Sequence, residues 1–195
     1  GRSWVTAFRN IGALAWGSIS GDEIWVAEGI YNESLTMSEG IARYGGFAGT
    51  ETLLEQRNWV TNATILDATD LGSRVVTVND VEGTTLDGFM ITGGTATGSG
   101  EERNGGGLYY SSVNSVTLSN CMSTGNSAGD GGGVYCDDSS PTLTNCTFSG
   151  NSAGDNGGGM SNWDYSYPTL TNCTFSENTA GQGGGMCNYQ SSATV

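Results

Sequence analysis

Four glycine triplets set the measure of this chain: they begin at Gly105, Gly131, Gly157 and Gly183, 26 residues apart each time. They belong to a longer unit. Asn145-Cys146-Thr147-Phe148-Ser149 returns as Asn172-Cys173-Thr174-Phe175-Ser176 and, in weaker form, as Asn120-Cys121-Met122-Ser123-Thr124. A unit this short cannot bury an apolar face alone, so a fixed period of this size calls for a solenoid in which each copy covers its neighbour.

Aligning the copies sorts their residues into columns. Leu118, Leu143 and Leu170 form one, Cys121, Cys146 and Cys173 a second, Ser123, Phe148 and Phe175 a third, and Leu108, Val134, Met160 and Met186 a fourth. Cys146 and Phe148 obey the two-residue alternation of a strand. Leu143 and Cys146 differ by an odd number, so both point inward only if the chain bends near Asn145. Each copy is expected to be a coil of about three short strands, stacked on the next to make parallel sheets around a continuous core.

Asn126, Asn151 and Asn178 recur at another bend. An inward amide there can bond backbone groups and the next amide at the strand spacing, which predicts a structural ladder, with a ligand role as the alternative. The glycines have a comparable explanation in close packing or positive φ at a turn. They do not follow a strand and open a helix, so they do not form a phosphate cradle. The stacked cysteines read as small core thiols, because strands lie ~4.8 Å apart whereas bridged Cβ atoms prefer ~3.8 Å. Cys136 and Cys187 differ by one in their offset from the glycines and are expected to face opposite ways.

Glycine makes up 33 of 195 residues and proline 2, yet the apolar positions keep register, which separates this chain from low-complexity disorder. Twenty acids against six Arg, with Lys and His absent, give a net charge of −14. Such a surface repels nucleic acid and anionic membranes, so neither is expected as a partner. No apolar run approaches the ~20 residues of a membrane span, and no signal peptide stands at residue 1. The start at Gly1 and the stop at Val195, just inside a repeat, read as a mature or excised piece of something longer.

Residues 1–20 are expected to form an N-terminal cap with a short helix, since Phe8, Ile11 and Leu14–Ala15 make a helical stripe bounded by Thr6 and Gly17. Residues 21–94 read as irregular first rungs, 95–104 as a corner insertion, and 105–195 as the regular repeats of one β-helix domain without a C-terminal cap. Residues 51–62 break strand alternation and read as a loop or short helical turn.

Gly21-Asp22-Glu23-Ile24-Trp25-Val26-Ala27-Glu28-Gly29-Ile30-Tyr31 after such a cap resembles the entrance of secreted pectin-lyase-like right-handed parallel β-helices. Tyr44-Gly45-Gly46-Phe47 and Leu86-Asp87-Gly88-Phe89 are similar to segments of bacterial surface proteins of that class. The Gly-Gly-Gly-apolar units with Phe148-x-x-Asn151 and Phe175-x-x-Asn178 resemble polymorphic outer-membrane-protein repeats. The resemblance implies an all-β right-handed parallel β-helix, outside the cell or on a bacterial surface. It does not specify an activity.

Three features are candidates for chemistry. Asp130 and Asp155 precede glycine triplets and are expected to stack as like charges, which solvation or a cation such as Ca²⁺ would relieve; no other cofactor is expected. The corner holding Trp163, Asp164, Tyr165 and Tyr167 is wider than Cys136–Pro141 and offers aromatic faces beside an acid, suited to a sugar or a protein contact. Tyr109 and Tyr135 are expected to share an outward column. Acid pairs across stacked rungs could also serve a glycosidase or lyase, although without Lys or His the familiar general bases are missing.

The reading that follows is a non-catalytic structural or adhesive surface element. Its uncapped end is expected to pair head to tail with another copy or with further repeats. The alternatives are a polysaccharide lyase or hydrolase, and a binding module for surface glycans.

Overall fold

The computed structural model describes residues 3–12 and 17–195. Its strands pair in parallel and wind into the predicted right-handed parallel β-helix, but each full rung has four sides. In chain order, one rung runs through Thr117–Ser119 in sheet 1, Met122–Thr124 in sheet 2, Ser127–Asp130 in sheet 3 and Val134–Asp137 in sheet 4. Sheets 1, 2 and 4 have six strands each among the described residues, and sheet 3 has three. The expected coil of about three strands missed sheet 3, whose strands carry a single inward apolar residue, Ala96, Ala128 or Ala153.

The four columns read from the sequence are realised. Leu118 faces Leu143 and then Leu170, Ser123 faces Phe148 and then Phe175, and Leu108 leads through Val134 and Met160 to Met186. The Phe148 and Phe175 rings stack at 4.9 Å. Each cysteine of the column aims its thiol at the leucine carbonyl of the preceding rung, Cys146 at Leu118 and Cys173 at Leu143, both at 3.5 Å. All five cysteines are free thiols. Cys136 lies inward beside Tyr110 and Asn162, and Cys187 lies in the column of Tyr135 and Ser161, so they do face opposite ways.

A bend exposes backbone groups that its own rung cannot satisfy, and polar ladders meet that need at three corners. Between sheets 2 and 3, Asn126 bonds Asn151 and Asn151 bonds Asn178, each Nδ2 to Oδ1 at 3.1 Å. Between sheets 1 and 2, Asn120, Asn145 and Asn172 sit in the left-handed region at φ 51, 54 and 53, which asparagine tolerates. Their amides form an outer ladder at 3.2 and 3.3 Å. Between sheets 4 and 1, Ser139 and Ser166 accept backbone N–H bonds from Val113 and Ser139 in the preceding rung.

The glycine triplets occupy the corner between sheets 3 and 4. Gly131 and Gly157 take φ 66 and 62, and the next two glycines of each triplet stack backbone to backbone. Gly106 N donates to Gly131 O at 3.1 Å and Gly107 N to Gly132 O at 3.0 Å. A Cβ on Gly132 would lie 2.5 Å from Ser152 O, so no side chain fits. Packing and positive φ thus both account for the triplet.

The N-terminal stripe does not make the expected helix over its described part. A single 3₁₀ turn, Trp4–Thr6, is followed by irregular chain; Ile11 is buried and Phe8 exposed. Leu14 and Ala15 lie outside the described residues. Trp4 instead packs on Phe47, whose ring stacks on Trp25. Residues 51–62 contain one 3₁₀ turn, Leu54–Gln56. They cover the early part of sheet 1, where Arg57 pairs with Asp87 at 2.9 Å and lies over the rings of Tyr44 and Trp59. Within the predicted insertion, Thr95–Ala96 joins sheet 3, and the excursion proper holds the 3₁₀ turn Gly100–Arg103.

Candidate functional site

The corner between sheets 3 and 4 carries the two acids expected to stack. They do not. A bulge shifts the register so that Ala128 faces Ala153 but Asp130 faces Asn156. Asp130 Oδ1 accepts from Asn156 N at 3.0 Å and from Asn156 Nδ2 at 2.7 Å, which places an amide where a second carboxylate was expected. Asp155 turns outward to Arg103, Nη2 to Oδ2 at 2.5 Å. The Arg103 side chain crosses Gly129 on the way, where a Cβ would collide with the guanidinium, so one side chain of the excursion straps two later rungs. The like-charge repulsion that motivated a Ca²⁺ ion is therefore relieved by Asn156 and Arg103, and the described residues contain no cluster of three or more metal-ligating acids, cysteines or histidines.

The aromatic corner is built by the serine ladder. Ser166 is fully buried, donates its hydroxyl to Trp163 O at 2.6 Å and its N–H to Ser191 Oγ at 3.1 Å. Around that anchor Asp164 and Tyr165 adopt left-handed φ of 37 and 63. The aromatic residues separate as a result. Trp163 is half-buried, donates Nε1 to Ser161 Oγ and packs on Tyr189 of the next rung at 4.5 Å. Tyr165 and Tyr167 stand in solvent, 65% and 52% exposed, with Asp164 exposed beside them. The corner offers two separated phenol rings and not one continuous aromatic face.

Tyr109 and Tyr135 share a column on the outer side of sheet 4, as expected, stacked at 5.7 Å with planes 3° apart. Both are nevertheless buried. Arg74 lies 4.0 Å over the Tyr109 ring and donates to Glu101 O in the excursion. Burial raises the phenol pKa of both tyrosines. Next to them Asp137 titrates above the usual carboxylate range, through burial and through Asp164, Glu101 and Asp138. Asp137-Asp138 and Glu101-Glu102 read from the sequence as two separate, exposed acidic sets; that they and Asp164 act on one another could not be read there, because the excursion and the wide corner bring Glu101 and Asp164 to Asp137.

The remaining predicted residues, Asn126, Asn151, Asn178, Cys121, Cys146, Cys173, Phe148 and Phe175, all serve the interior. The neighbouring thiol and burial push the Cys146 pKa well up, and burial pushes Cys121 up to about 12. Such thiols behave as core apolar groups.

A family model described as right handed beta helix region matches residues 19–195. No curated protein matches the chain. Among solved structures, a pectin methylesterase mutant in complex with a hexasaccharide is similar over 87% of this chain and 62% of its own, with 12% identity and a TM-score of 0.42. The chain thus spans less than two thirds of that structure's length, and likeness at this level carries no statement about activity.

Proposed function

The chain belongs to the right-handed β-helix family, and we propose that within it the protein is a non-catalytic structural element, outside the cell or on its surface, that holds a long ordered polar surface in fixed register. One observation carries this reading. The residues that recur from rung to rung are engaged in stacking: leucine, cysteine and phenylalanine fill the core, while Asn126, Asn151 and Asn178 and the glycine triplets join one rung to the next. Outward positions of sheets 1 and 2 carry mostly threonine and serine, whose short side chains suit a surface meant for presentation. Contacts at the ends, with a second copy or with further repeats, extend the same register.

Electron microscopy of the purified chain, with sedimentation over a wide concentration range, tests this function. Short rods that lengthen end to end with concentration are the expected result. Particles that stay monomeric and release unsaturated oligosaccharides from acidic polysaccharides overturn it in favour of a lyase. A second reading, a glycan contact at Tyr165 and Tyr167 beside Asp164, draws on their exposure; retention on a glycan array that is lost in Tyr165→Ala/Tyr167→Ala would favour it.

A further inference from the structure

The outer face of sheet 1 shares with sheet 2 its run of threonine and serine, but in sheet 1 the hydroxyls stand free of one another, whereas in sheet 2 Ser149 Oγ bonds Thr124 Oγ1 at 3.4 Å. The strands of sheet 1 read Thr117-Leu118-Ser119, Thr142-Leu143-Thr144 and Thr169-Leu170-Thr171, so that each rung turns one leucine inward and two hydroxyls outward. The register aligns them into two rows, Thr117–Thr142–Thr169 and Ser119–Thr144–Thr171, and Thr194 bridges on to the first. Rows along the axis repeat at ~4.8 Å, and the two rows stand ~6.7 Å apart along the strand. The result is a two-dimensional grid of hydroxyl groups, each threonine adding a methyl.

Four further observations point this grid at a ligand that is itself periodic. None of these six threonine and serine hydroxyls bonds another described residue. Thr142, Thr169 and Thr171 are exposed, and residues 51–62 cover only the earlier strands of the sheet. The segments 117–127, 140–153 and 167–176 contain no charged residue, although the chain carries twenty acids elsewhere. The Asn120–Asn145–Asn172 ladder runs along the edge of the grid and locks the rung spacing from outside.

We propose that this face binds ice. The neutrality argues against a mineral or a polyelectrolyte, which needs charge on the protein side. A crystalline polysaccharide is better matched by flat aromatic platforms, and the grid has none. Free hydroxyls and methyls in rows can order a sheet of water, and the surface oxygens of ice repeat at closely similar intervals in both directions. Water bridging of this kind is nearly as favourable as direct bonding, and a rigid grid loses little conformational freedom on contact. The inference goes beyond the structural role proposed above and stands or falls separately from end-to-end assembly.

The test is partition of the purified chain into slowly growing ice alongside an inert protein of similar size, with circular dichroism as the control for folding. Enrichment in ice several-fold above the inert protein is expected, together with inhibition of recrystallisation. Thr144→Tyr plants a ring at the centre of the grid and should abolish both; Thr144→Lys should do the same if the tyrosine variant folds poorly. Asp138→Asn, at the corner after sheet 4, should leave both intact. Enrichment no greater than the inert protein, or equal enrichment of a folded Thr144 variant, overturns the proposal. Retention on microcrystalline cellulose that Thr144→Tyr removes, without enrichment in ice, also overturns it and assigns the face to a solid polysaccharide.

Discussion

Asn126 donates its side-chain amide to Asn151 Oδ1 at 3.1 Å, and Asn151 makes the same bond to Asn178. The middle residue also donates to Ser123 O at 2.9 Å and accepts the Asn126 backbone N–H at 3.1 Å. Asn151→Ala therefore strands two buried backbone groups. At about 1–3 kcal/mol each, the expected loss is about 2–5 kcal/mol in urea unfolding. Asn151→Asp replaces a double donor by a carboxylate oxygen facing two acceptors, so it should cost more than alanine at neutral pH. The gap between the two variants should narrow on acidification, and equal stabilities at neutral pH would count against a donor role for the amide.

A glycine at the corner and a glycine within a sheet 3 strand should respond in opposite ways. Gly132→Ala drives a methyl into Ser152 O and Gly158 O at 2.5 and 2.7 Å, both backbone atoms that the ladder holds in place. A loss of at least ~3 kcal/mol is expected, the range of severe steric or backbone disruption. Gly154 has no neighbour closer than 3.8 Å and lies outside the left-handed region. Gly154→Ala should be neutral or stabilising by up to ~1 kcal/mol through the unfolded chain. Thermal melts of the two variants side by side decide the point.

What could be read from the sequence follows from what repeats. Leu143, Cys146, Phe148 and Met160 announce their columns because the same residue types return at the same offsets, and Asn151 does so for the same reason. The relation of Asp130 to Asp155 was misread because Asp130 precedes its triplet by one residue and Asp155 by two; the residue equivalent to Asp130 is Asn156. Sheet 3 escaped notice because alanine alone carries its inward positions. Nothing in the pattern foretold Arg43, which is 1% exposed in the column of Ile24 and Leu86. Burial lowers its pKa to about 10, and Nη1 reaches Met37 Sδ at 3.4 Å.

Acid should favour the fold locally at Asp137. Its folded pKa is raised above the ordinary carboxylate value by burial and then by Asp164, Glu101 and Asp138. The folded state therefore holds the proton more tightly than the unfolded state, and stability falls as pH rises from the usual carboxylate pKa through the raised one. Asp137→Asn should melt higher than the parent at about pH 7, with the difference gone below about pH 3. A parent and variant that melt together across this range would remove the effect.

Thiol labelling should divide the five cysteines. Cys173 and Cys187 are partly exposed, whereas Cys121, Cys136 and Cys146 are buried. Mass spectrometry after brief alkylation of the native protein should find Cys173 and Cys187 modified first. The other three should react only on unfolding, because burial withholds both the thiolate and access to it. Early modification of Cys146 would show that the core opens locally between rungs.

The backbone bonds of the glycine triplets, such as Gly132 N to Gly157 O at 3.2 Å and Gly133 N to Gly158 O at 3.0 Å, run along the axis from rung to rung. A pull on the two ends of the protein therefore stretches these bonds lengthwise. Rungs peel from an end of the stack, where a rung is held from one side. Each rung that yields would pay out roughly 80–90 Å of extended chain before the next is strained. Under tension the regular repeats are a ratchet of nearly equal steps, and the recurrence that builds them also sets the length of each step.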